Sequence, residues 1–345
     1  MYILVSIKLE CIEVGLLMWT FNAEAGTSTA QGFGIWLLVF VALFIFNEFA
    51  RRWKWAGFFS FFVLPSFLTI LWFFFMKEHT YTDWFHLVKV YSATAGCIIF
   101  WAIRHIQKKD KKGYVRWRLA NVKVALIFPA AILAINIIEA VTRDFQVGKI
   151  YWNNFSGPIE GEVVGVLGGP WNYMNAIAGI LNTVTITGWF GIVIRKETET
   201  DKSRDMLWPD MLWFWIIAYD LWNFCYTYNC IPTHSWYAGL ALLIAPTLCA
   251  FTLGKGAWLQ HRAQTLAIWC MFAQTFPAFL DSGAYVVKST YNPWIYNVVG
   301  AIALASNVAV FCYMVYKWVK TKRNPYTGEI FTDLNEYKAI KALAE

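Results

Sequence analysis

Charge is what this sequence has least of. Asp, Glu, Lys and Arg together supply 15% of its 345 residues, where a water-soluble domain averages about 25%. With 58% of the chain hydrophobic, there is too little polar surface to cover it in water. That shortage excludes an ordinary soluble enzyme, a disordered chain and a nucleic-acid-binding domain. A formal net charge of +7 does not bring nucleic acid back, because a basic excess in a membrane protein normally sits in cytoplasmic loops.

Other absences narrow the chemistry. Cysteine forms no paired framework: Cys11, Cys97, Cys225, Cys230, Cys249, Cys270 and Cys312 are odd in number and lie mostly inside apolar runs. That argues against a disulfide scaffold, with Cys225 and Cys230 the one pair able to meet at a helix end. His79, His86, His105, His234 and His261 form no HxxxH or HExxH motif, so neither a conventional metal site nor a cofactor is expected. The GKG at 254–256 has no P-loop context. The N-terminus lacks a basic n-region and a small-residue cleavage site, which argues against a signal peptide.

Long apolar runs are what the chain does have. Crossing a bilayer takes about 17–25 such residues, and nine segments qualify: 32–50, 56–76, 86–106, 119–139, 168–194, 207–227, 236–253, 263–281 and 294–316. Residues 1–21 are a tenth candidate, with Lys8, Glu10 and Glu13 in their middle. A spanning helix with paired charges is preferred there over an interfacial one. The expected fold is all-α, a polytopic membrane bundle of nine firm transmembrane helices plus a tenth at the N-terminus. With ten spans, the 140–167 connection divides the chain five plus five in opposite orientation, as in inverted-repeat transporters. Residues 317–345 read as a cytoplasmic tail whose DLNEYKAIKALAE stretch forms a short amphipathic helix.

Basic residues set the orientation. Most of the 29 Lys and Arg fall on one side: Arg51 and Arg52, the run from Arg104 to Arg118, Arg195 to Arg204, Lys255 and Arg262, and the tail. The positive-inside rule makes that side cytoplasmic. The expected location is the cell membrane, read as a bacterial inner membrane, with the C-terminus inside. Among 20 Trp, those near helix ends form an aromatic belt. The deeper Trp101, Trp213, Trp215, Trp222 and Trp269 face lipid or wall a pocket.

An ionisable group at membrane depth needs a partner or a cavity. Asp220 is the clearest case, roughly 20 Å into its segment at 1.5 Å per residue. Asn223 and Thr227 share its face, and Tyr219, Trp222 and Tyr226 surround it. Asn136, Glu139 and Arg143 share another face, where Glu139 either pairs with Arg143 or sits at the outer mouth of a cavity. Asp281 follows Gln274 and Pro277 on one face, beside an expected kink. Gly168, Gly169 and Pro170 reset the backbone before a stripe of Asn172, Asn175, Gly179 and Asn182, which either packs helices together or lines a path.

Carboxylates with aromatic faces fit a cation or a relayed proton. The expected function is a secondary transporter of a small organic solute, with a cationic or amine-bearing solute and proton coupling as its sharper form. The expected partners are membrane lipid, that solute and protons. A channel, ligand sensor or structural membrane protein is the alternative. An intramembrane hydrolase would need Ser92, His86, His234 and Asp220 to converge, and is the least favoured reading.

Overall fold

The computed structural model of the chain describes residues 18–21, 27–150, 152, 155–158 and 165–344. Its helices are α1 (Thr29–Arg52), α2 (Lys54–Phe74), α3 (Trp84–His105), α4 (Lys123–Ile150), α5 (Pro170–Val184), α6 (Trp213–Cys230), α7 (Tyr237–Phe251), α8 (Trp258–Thr275), α9 (Ala278–Asp281), α10 (Pro293–Thr321) and α11 (Asn335–Lys341). Four short antiparallel strand pairs tie loops together, among them Trp19–Phe21 with Val287–Ser289.

Local chemistry sets the helix starts. Ser28 and Gln31 form a reciprocal capping box at α1, which satisfies two otherwise orphaned N–H donors. Asp83 accepts the Phe85 and His86 N–H groups at 3.1 Å. Pro170 and Pro293 occupy first-turn positions of α5 and α10, where a missing N–H costs nothing.

Five helices, α1, α2, α3, α4 and α10, are long and apolar enough to cross a membrane. Their outer faces carry exposed Leu38, Phe46, Phe67, Ile70, Val124, Phe128 and Ile302. Patches of that kind are rare on soluble monomers and normal against lipid. These helices shelter α5, α6 and α8. α5 packs on α4 and α10, α6 on α10, and α8 on α3, α1 and α7.

This corrects the expectation of nine firm spans and a tenth: among the described residues there are five. Segments 168–194, 207–227, 236–253 and 263–281 do not yield helices that are both long and apolar enough. α5 has 15 residues, about 22 Å, short of the ~30 Å hydrocarbon core. Gly188 then turns the backbone at φ +63°. α7 is a short apolar helix opening with a π-helical turn at Tyr237–Ala241. α8 buries Gln260, His261, Arg262, Gln264, Thr265 and Gln274, so it is too polar for lipid and is wrapped by protein. The residue before Pro277 is barred from helical geometry, and α8 stops at Thr275 where segment 263–281 was expected to continue. Residues 1–17 of the N-terminal candidate lie outside the described residues, while Trp19–Phe21 is extended. With five spans the five-plus-five inverted repeat has no basis.

One end of the bundle is closed by a polar latch and by the chain after α10. Asp205, fully buried, meets Arg51 at 2.8 Å, Arg195 at 3.3 Å and Arg104 at 3.9 Å. It also accepts a hydrogen bond from Gln260 at 2.8 Å. Next to it, the Gly188, Trp189 and Lys196 N–H groups donate to the Pro325, Tyr326 and Leu343 carbonyls. Asp210 accepts from Thr187 at 2.8 Å and from the Phe331 N–H at 3.0 Å.

Candidate functional site

A cavity with about 730 Å³ of atom-free space, its open mouth included, lies among α3, α4, α6, α7 and α8. Phe85, His86 and Lys89 come from α3, Asn136 from α4, and Tyr219, Asn223, Tyr226 and Thr227 from α6. The α6 set follows from helical phase, since positions 219, 223 and 226 recur on one face. Arg262, Leu266, Trp269, Ala273 and Gln274 come from α8, and His234 from the connection before α7.

Its electrostatics are uneven. Lys89 meets Glu139 at 2.8 Å and donates to the Asn136 carbonyl at 3.0 Å, so its charge is compensated across the α3–α4 contact. His86 holds Asp83 at 2.8 Å. Burial alone would push the Asp83 carboxyl up, but His86 outweighs it and holds the group below its usual value. His234 approaches Asp281 at 3.8 Å, and the Tyr81 hydroxyl donates to Asp281 at 2.6 Å. There too burial opposes and these partners prevail, leaving Asp281 below its ordinary value. Arg262 is different. It is buried, its Nε donates to the Tyr219 hydroxyl at 3.3 Å, and its Nη1 has no hydrogen-bond partner.

The expected site residues divide into three groups. Tyr219, Asn223 and Tyr226 line the cavity. Glu139 sits behind it on Lys89, and Asp281 beyond His234 lines a neighbouring outer hollow. The rest lie outside the lining. Asp220 accepts from Thr247 at 2.7 Å, and Thr247 accepts from the Trp258 indole at 3.0 Å. Trp222 is fully buried against α5, where a Cβ on Gly179 would meet its ring nitrogen at 2.6 Å. Asn175 donates to Asp144 at 2.7 Å and Asn182 to Asn307 at 2.9 Å, both helix-to-helix bonds. Cys225 and Cys230 are free thiols, and Cys230 donates to Asp144 at 3.2 Å.

Sequence reasoning missed Arg262, Lys89 and Gln274 as cavity groups, and Asp144 as a buried carboxyl. Arg262 looked like a cytoplasmic flank because it follows Lys255 at the head of a segment. Asp144 fell in the expected 140–167 connection because that span was ended at residue 139, whereas α4 runs on to Ile150. No group of three or more His, Cys, Asp or Glu among the described residues could hold a metal ion.

Five long apolar helices around a polar, cavity-bearing centre define a largely helical protein of the membrane-associated, multi-pass class. The chain belongs to a family described as a family of unknown function (DUF5692), whose match covers residues 26–343. No curated protein and no solved structure matches it.

Proposed function

We propose that this protein is a secondary transporter whose small organic solute occupies the cavity between α3, α4, α6, α7 and α8. The observation that carries this is the cavity itself, polar on several elements and surrounded by helices apolar enough for lipid. The π-helical turn at Tyr237–Ala241 adds support. It contributes Ala238 to the wall, and such turns concentrate at functional sites. The sequence carries no nucleotide-binding motif to drive primary transport. Asp220 is the proposed proton carrier, because it is buried with Thr247 on one oxygen and no hydrogen-bond partner on Oδ1, and a half-satisfied buried carboxyl favours a proton. The basic loops and the chain after α10 are assigned to the cytoplasm. An enzyme is not favoured: Ser92 donates to the Lys89 carbonyl at 3.4 Å and lies outside the cavity lining.

Proteoliposome flux under an imposed pH gradient tests this. Asp220→Asn keeps the shape and removes the titration, so pH-driven uptake is lost while the protein stays folded. Unchanged pH-dependent flux would reject Asp220 as the coupling group. A ligand sensor is the second reading. It is favoured by one fact: α8 carries cavity residues Arg262 and Trp269 and also places Gln260 in the Asp205 latch.

A further inference from the structure

One cation of the cavity has no carboxylate at ion-pair distance among the described residues. Lys89 has Glu139, and the two lining histidines have Asp83 and Asp281. No carboxylate among the described residues stands at ion-pair distance from Arg262, which is 5% exposed with Nη1 unsatisfied. Asp220, outside the lining, lies within electrostatic reach of Arg262 but spends its Oδ2 on Thr247. A buried guanidinium without an anion is costly, and removing water without supplying a counter-charge is costlier still. The unsatisfied Nη1 therefore offers a charged donor to a negative group brought from outside.

We propose that the cavity binds a small organic anion, a carboxylate whose head meets Arg262 and whose apolar body lies on Leu266, Trp269 and Phe85. This rests on the cavity being the solute site, and it reverses the sign of charge that the acidic residues of the sequence had favoured. A planar guanidinium matches a carboxylate with two parallel N–H bonds. The Tyr219 hydroxyl, already held by the Arg262 Nε, orients the fork. Asn223 stands on the same wall to receive a second polar group. An anionic lipid headgroup shares the head chemistry, but the wall that carries Arg262 is the central helix α8, sheltered behind α1 and α3.

The test is binding, read by thermal shift and tryptophan fluorescence on the full chain in neutral detergent. The probes are benzoate, phenylacetate and hexanoate against the matched benzylamine, phenethylamine and hexylamine. The carboxylates bind and the amines do not. Arg262→Gln weakens the carboxylates on the order of 10- to 100-fold, the size of a lost charged hydrogen bond, and Arg262→Lys is intermediate. Should R262Q fail to fold, Tyr219→Phe, which keeps the charge and frees the fork, weakens binding by a smaller factor. Amines binding in place of carboxylates, no carboxylate binding to the native protein, or carboxylates binding R262Q equally would each overturn the proposal. So would stabilisation by phosphatidylglycerol alone that R262Q abolishes. Carboxylate binding through Arg262 without flux in proteoliposomes leaves the anion site standing and rejects the transporter. Flux of an amine that ignores Arg262 does the opposite.

Discussion

Asp205 is the most consequential single carboxylate outside the spans. It is wholly buried, with Arg51, Arg104 and Arg195 around it and Gln260 on its second oxygen. Breaking a buried ion pair from one side costs about 3–5 kcal/mol, because the opposite charge is stranded. Arg51 keeps Glu48 at 2.6 Å and Asp201 at 3.5 Å, so Asp205→Asn falls near the lower end, about 3 kcal/mol. At a few degrees per kcal/mol that lowers the unfolding midpoint by ~5–10 °C. Because many large proteins unfold irreversibly in vitro, mutant and native protein are compared at one scan rate by size-exclusion chromatography after heating.

The pH dependence follows the same logic. Burial would raise the Asp205 carboxyl, but the guanidiniums outweigh it and hold it well below the ordinary range. Its contribution is complete above the unfolded value of about 4 and is lost as pH falls below that, a loss that D205N abolishes. Arg51→Gln combined with D205N recovers part of the deficit, since removing both charges strands neither. A midpoint change under ~2 °C, or a double variant no better than the worse single one, would refute the latch as a source of stability.

Asp210 slopes the other way. Burial pushes its carboxyl up to about 6, so the stability it gives is full below pH ~4 and is lost as pH rises through 6. Asp210→Asn flattens that decline in a melting series across pH 4–7. Gly188→Ala forces a Cβ to 2.5 Å from that of Asp210 at φ +63°; left-handed backbone alone costs about 1–2 kcal/mol, so residues 322–344 become more sensitive to trypsin, and an unchanged digest rejects the strain. For orientation, cysteines substituted at Lys111 and Lys149, on either side of or at the far end of α4, label from opposite faces of intact cells; labelling from one face removes the assignment.

Composition made the membrane class legible, and helical phase made part of the site legible. Of the expected Asp220, Asn223 and Thr227 face, Asn223 and Thr227 line the cavity and Asp220 does not, because the wall is centred on the neighbouring Tyr219, Asn223 and Tyr226 stripe. The number of spans was not legible. Hydropathy counts an apolar side chain equally whether lipid or protein covers it, so Leu242, Leu243 and Ala245 of α7, buried against protein, score like the exposed Leu37 and Leu38 of α1. Cations were misplaced for a related reason. The positive-inside rule treats Arg51, Arg104, Arg195 and Arg262 alike, yet the first three converge on Asp205 and the fourth turns into the cavity. Which basic residues leave water depends on carboxylates far away in the chain, and no local window contains both.

The backbone bonds from Gly188, Trp189 and Lys196 to residues 325–343 also set a clock on biosynthesis. α1 to α4 reach the membrane while the donors of the 185–212 connection have nothing to donate to, since their acceptors are encoded roughly 140 residues later. At about 5–20 residues per second that is a wait on the order of 10–30 s. During it α5 and α6, the latter carrying Tyr219, Asn223 and Tyr226, are tethered by an unlatched loop. The 185–212 connection therefore gains its last backbone partners only once residues 325–343 have been translated.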